Sequence, residues 1–105
     1  MSDVQIVLST IDTAENARRI ANILVDERLA ACVSILPPVT SIYRWEGELH
    51  EAPELQLIIK TATDRVEALV GRLQELHPYE VPEILALPVS QGLDSYLDWV
   101  RDETR

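Results

Sequence analysis

The sequence predicts an α+β fold, an antiparallel sheet with two helices on one face. Three observations lead there: apolar residues alternate at period two in several short runs, two intervening segments repeat at helical spacing, and the order of these segments is β-α-β-β-α-β-α.

Residues 3–10 alternate, with Val4, Ile6 and Leu8 on one face and Gln5, Val7 and Ser9 on the other, which predicts a strand. Asp12 followed by Glu15 has the capping-box spacing, and Ala17, Ile20, Ala21, Leu24 and Val25 recur at helical intervals, so a helix is expected over 13–28. A second strand starts near Leu29. Pro37-Pro38 removes two ladder donors from it and demands a bend or an edge position. Strand character resumes over Val39–Trp45, Glu46-Gly47-Glu48 forms the turn, and a third strand ends in the apolar run from Leu55 to Ile59.

Asp64 and Glu67 suggest a second capping box, followed by the stripe Val66, Leu69, Val70, Leu73 and Leu76. His77-Pro78 stops that helix. A fourth strand is expected over 82–89, bounded by Pro82 and Pro88. After Gly92, the residues Leu93, Tyr96, Leu97 and Val100 mark a short C-terminal helix. The first six elements follow the split βαβ, or ferredoxin-like, order, here as a βαββαβ sandwich. The hairpin over 29–62 exceeds the usual strand length. It should project beyond its own helices and leave Tyr43 and Trp45 to be covered by another subunit. With no repeat or linker, residues 1–105 read as a single domain.

Composition narrows the partners. The chain of 105 residues has 9 basic and 18 acidic residues, a formal charge of −9. That charge repels phosphate backbones and anionic lipid, so nucleic acid and membrane are not expected partners, whereas cations are. No apolar run approaches the ~20 residues needed to span a bilayer. The start Met-Ser-Asp-Val lacks the basic-then-apolar order of a signal peptide. With Cys32 the only cysteine, a reducing, cytoplasmic setting is expected.

Catalytic signatures are missing. Three glycines build no phosphate-cradling loop, and neither G-x-S-x-G, H-E-x-x-H nor C-x-x-C occurs. The chain therefore reads as a binding protein and not an enzyme. The densest cluster is His77-Pro78-Tyr79-Glu80-Val81-Pro82-Glu83. His77 and Glu80 in a proline-stiffened loop can offer two ligands to one ion; alternatively His77 is a helix-end residue and the prolines are punctuation. Cys32 is either a soft copper ligand or an inert thiol. Glu46, Glu48, His50, Glu51 and Glu54 near the hairpin tip form either a weak cation site or a solvated turn. Tyr43, Trp45, Tyr79 and Trp99 either stack a flat ligand or serve as interface and core. Lys60, the sole lysine, either contacts an anionic ligand or snorkels from a strand end.

The stretch from Leu29 to Gly47, with Cys32, Pro37-Pro38, Tyr43 and Trp45-Glu46-Gly47, resembles the central signature of the CutA family of divalent-cation tolerance proteins. So do Ile59-Lys60-Thr61, the run from His77 to Ile84, Leu87-Pro88-Val89, and Tyr96-Leu97 with Trp99. The resemblance covers nearly the whole chain. It implies a homotrimer with sheets facing inward and long hairpins exchanged between subunits. It also implies tolerance to copper and other divalent metal ions without an obligatory cofactor, and kinship in shape with PII signalling trimers, whose intersubunit clefts hold small ligands. Some bacterial relatives have a cysteine at the end of the first strand and a His-His pair before Pro-Tyr. This chain has Ser9 and Leu76-His77 there, so of those ligands only His77 carries over. The resemblance thus supports modest metal affinity through His77, with Glu80 or Cys32 as second ligand. The alternative is a PII-like regulatory or scaffold trimer with a cleft lined by Tyr43, Trp45, Lys60 and Tyr79.

Overall fold

A computed structural model describes residues 2–105. The elements are β1 (Val4–Ile11), α1 (Ala14–Asp26), β2 (Cys32–Trp45), β3 (Glu48–Ala62), a 3-10 turn (Thr63–Arg65), α2 (Val66–Leu76), β4 (Leu85–Pro88) and α3 (Asp94–Glu103). The strand order is β2-β3-β1-β4 and every pairing is antiparallel. This is the expected ferredoxin-like sandwich with a long hairpin and a C-terminal helix.

Both faces of β1 are apolar, and the helices decide which one becomes core. Val7 and Ile11, with Leu55, Leu57 and Ile59 of β3, pack against Ala17, Ile20 and Leu24 of α1 and Leu69 and Leu73 of α2. Burying a residue of this size contributes roughly 1.5–3 kcal/mol. Helix α3 packs Leu97 and Val100 against Val4 and Ala31. The other β1 face stays half-buried at Ile6 and Leu8, beside Ile58 of β3. On β4, Leu87 and Leu85 lie opposite Ile6 and Leu8 and are 47% and 55% exposed. The sheet therefore has one covered face and one largely bare apolar face.

The caps differ from the sequence reading. Thr13 and not Asp12 caps α1: its Oγ1 accepts the Asn16 amide N–H at 3.1 Å, while Asp12 accepts from the Asn16 side chain. At α2 no side-chain cap forms, because the 3-10 turn intervenes and Arg65 takes the cap position. Arg72 ties the helices together, donating through Nε and Nη2 to the Glu27 carboxylate at 2.9 Å each.

The hairpin is as long as the sequence requires, with 14 residues in β2 and 15 in β3. Its turn, Glu46-Gly47, has φ of 50° and 80°, the positive values that a two-residue type I′ turn needs. The last β3 residue paired with β1 is Leu55, opposite Ile11. From there to the tip β3 pairs with β2 alone. The projecting ribbon gives the molecule a long axis of 44 Å and leaves Ile42 and Leu49 about 70% exposed. Pro37-Pro38 lies on the edge strand, as expected. It does not end β2; it makes a bulge between Ile35 and Pro38, the usual accommodation of lost ladder bonds. Pro88 sits on the opposite edge strand.

Candidate functional site

After α2 the chain turns at His77 and Pro78 and runs through Tyr79–Glu83 before entering β4. This loop and the ribbon enclose a cleft of about 730 Å³, within the usual range for small-molecule sites. Its walls are Ser41, Ile42, Tyr43 and Trp45 of β2, Glu54 of β3, Thr10 of β1, and the loop itself. Tyr43 and Trp45 pair with His50 and Glu48, in phase with Val39 opposite Glu54, so the aromatic rings and Glu54 share one ribbon face. Tyr43 also stacks on His50, with ring centroids 5.5 Å apart.

His77 forms the loop's inner anchor. It caps α2, donating its amide N–H to the Leu73 carbonyl at 2.9 Å. Its buried ring donates from Nε2 to the Thr10 carbonyl at 2.8 Å and accepts the Tyr79 amide N–H at Nδ1, 3.2 Å away. A carbonyl only accepts and an amide N–H only donates, which fixes the tautomer with its proton on Nε2. Both ring nitrogens are therefore engaged in holding the loop against β1.

Tyr79 continues the network, its hydroxyl donating to Glu54 Oε2 at 2.6 Å. Burial and then this carboxylate push the phenol well above its ordinary value of 10.0. The sign follows: a phenol that holds its proton more tightly when folded stabilises the fold below pH 10, and that contribution is lost as pH rises beyond it. In an ultraviolet titration, Tyr79→Phe should remove a phenol that ionises only well above pH 10. An unchanged late phase would mean that the Tyr79–Glu54 bond does not persist in solution.

The sequence placed Glu54 with the solvated tip residues. The structure keeps Glu46, Glu48 and Glu51 exposed but buries Glu54, because it lies beside the loop and not at the turn. It shares its strand face with Gln56, whose side chain donates to the Ser9 carbonyl at 2.8 Å, but no local residue pattern announces the loop that covers it. Glu83 and Thr10 also line the cleft without having been singled out for it.

Of the residues singled out from sequence, Tyr43, Trp45, Tyr79 and Glu80 come together at the cleft. Cys32 and Lys60 do not. They face each other across β2 and β3, with Sγ and Nζ 3.9 Å apart, in the row that contains Ile6. The His77 ring contacts Thr10, four residues further along β1, roughly 13 Å at strand rise. Trp99 lies on α3 against Tyr96 and is outside the cleft. Among the described residues, no three His, Cys, Asp or Glu side chains gather closely enough to hold a metal ion. No described helix is long and apolar enough to cross a membrane.

Residues 5–103 match the family described as CutA1 divalent ion tolerance protein. A divalent-cation tolerance protein CutA from Thermus thermophilus is 54% identical over 100 residues, covering 95% of this chain and 97% of that one. The crystal structure of CutA from Xylella fastidiosa superposes with a TM-score of 0.97 at 46% identity, covering 99% of this chain and 100% of that one. The Thermus thermophilus structure gives 0.94 at 53% identity, with coverages of 97% and 99%. With the same strand order and hairpin already established, the chain belongs to the CutA1 family of divalent ion tolerance proteins.

Proposed function

We propose that the chain is a cytoplasmic, non-enzymatic homotrimer that binds divalent metal ions, copper among them, at modest affinity through the His77–Glu80 loop. The family match carries the metal reading, and the engaged state of His77 is what keeps the affinity modest. An ion can take Nδ1 only if the Tyr79 amide lets go. Losing one such bond costs about 1 kcal/mol net, roughly fivefold in affinity. Glu80 is exposed at the cleft rim and free to follow the ion. Cys32, in a different row of the same subunit, is a candidate ligand only for a separate site. Trimer formation is favoured by the bare sheet face of Ile6, Leu8, Ile58, Leu85 and Leu87, and by the uncovered ribbon.

Calorimetric copper titration of the metal-free protein near pH 7 tests the metal reading. Saturable binding that weakens in both His77→Ala and Glu80→Gln is the expected result. Equal binding by all three proteins would make the loop purely structural.

A second reading is a PII-like regulatory trimer with an organic ligand in the cleft. It is favoured by the cleft's size and by Tyr43 and Trp45, which are about 40% exposed on one wall. Lys60 lies outside this cleft in the single chain and would serve a different surface.

A further inference from the structure

The cleft has an unusual charge arrangement. Among the described residues, Glu54, Glu80 and Glu83 line it, and no Lys, Arg or His does. Glu54 is the informative member. It is only 9% exposed, yet it takes part in none of the ion pairs among the described residues. The Tyr79 hydroxyl is the one hydrogen-bond donor to its carboxylate there. A carboxylate withdrawn from water without a cation is costly, and a cationic partner relieves that cost. Glu83, near the Gln56 side chain at 3.4 Å, adds a second carboxylate on the same side.

Aromatic surface extends from this acidic end. Tyr43 pairs with His50, four residues from Glu54 along β3 and so roughly 13 Å away at strand rise, and Trp45 lies beyond it. Aromatic faces attract cations and cover methylene chains. A hydrated metal ion would use the carboxylates and leave this apolar wall empty. An anionic ligand would meet three carboxylates and no base.

The geometry points to an elongated organic cation, of the linear aliphatic polyamine class, as the ligand of this cleft. One ammonium group pairs with Glu54, another reaches Glu80 or Glu83, and the methylene chain runs over Tyr43 towards Trp45. The assignment rests on the reading of the cleft as an organic-ligand site and names the chemistry of its occupant.

Spermidine is the probe, titrated into the full-length protein at about 150 mM salt to screen diffuse surface charge. Heat and tryptophan fluorescence are followed together. Saturable binding is expected, weakened about tenfold or more in Glu54→Gln. Trp45→Ala, at a residue about 40% exposed in the single chain, should also weaken it and guards against a folding defect at Glu54, with sedimentation of that variant separating a lost subunit contact from a lost ligand contact. Equal displacement by magnesium at matched ionic strength would overturn the assignment, because the cleft would then be only an acidic surface. If spermidine fails while the anionic dye 8-anilinonaphthalene-1-sulfonate binds in a Trp45-dependent way, the cleft is a ligand site but the cationic assignment is wrong. If neither binds, the cleft reading itself falls.

Discussion

Changing Leu85 and Leu87 together to glutamate is expected to yield folded monomers of about 11.8 kDa, where the proposed trimer of the unaltered protein should sediment at about three times that mass. Both side chains belong to short edge strand β4 and stand on the sheet face that α1 and α2 leave uncovered. They are 55% and 47% exposed in the single chain, so the substitution removes little from the subunit's own core. In an assembly with the sheets facing inward, each buried leucine contributes roughly 1.5–3 kcal/mol. A carboxylate in its place adds a desolvation penalty of several kcal/mol. Repeated over three subunits, these terms exceed what a small assembly can lose. Sedimentation equilibrium with far-ultraviolet circular dichroism separates dissociation from unfolding. A persistent trimer would mean that this face is not the subunit interface.

His77→Ala should have the largest effect of any single change near the cleft, on stability before ligand binding. Truncating the ring leaves the Thr10 carbonyl and the Tyr79 amide without their partner. Each buried group left unsatisfied costs about 1–3 kcal/mol, so a total loss of roughly 2–6 kcal/mol is expected. Urea unfolding at fixed protein concentration should show a lower midpoint with an unchanged slope. The exposed Glu80→Gln should stay within about 0.5 kcal/mol. If both variants unfold alike, the ring does not anchor the loop. The copper titration is therefore run with both substitutions, since only Glu80→Gln separates a lost ligand from a loosened loop.

Element type and order were legible because each segment has its own period; what it packs against was not. The alternation of β1 reads equally well with Val4, Ile6 and Leu8 inward. Val7 and Ile11 win because α1 and α2 bring Ile20, Leu24, Leu69 and Leu73 to that side. The strand expected over 82–89 shrinks to Leu85–Pro88 because Pro82 and Glu83 are drawn into the cleft wall and Ile84 packs against the core. Capping boxes at Asp12 and Asp64 were plausible by spacing, but Thr13 and the 3-10 turn satisfy the local backbone first.

For the site, residue chemistry picked out Tyr43, Trp45, Tyr79 and Glu80, and the fold gathers them. Lys60 and Cys32 were named on the same grounds yet sit in another row of the sheet, because periodicity gives a residue's face and not its distance from another strand's residues. Glu54 was misread as a tip residue since nothing local shows that the 77–83 loop folds over it.

The Pro37-Pro38 bulge works like a frameshift in the sheet. Before it, Cys32 and Ser34 stand opposite Lys60 and Ile58. After it, the extra residue on β2 puts odd-numbered side chains on that same face, Val39 opposite Glu54 and then Ser41, Tyr43 and Trp45. Had the ladder run on without the bulge, Ile42 would stand opposite His50 and Arg44 opposite Glu48, and the aromatic rings would pass to the opposite face. Deleting the extra residue would instead smooth the strand and leave Val39 opposite Glu54 and Tyr43 opposite His50. The bulge thus sets which residues of β2 stand on the face of Glu54, and losing its extra residue would not change that face.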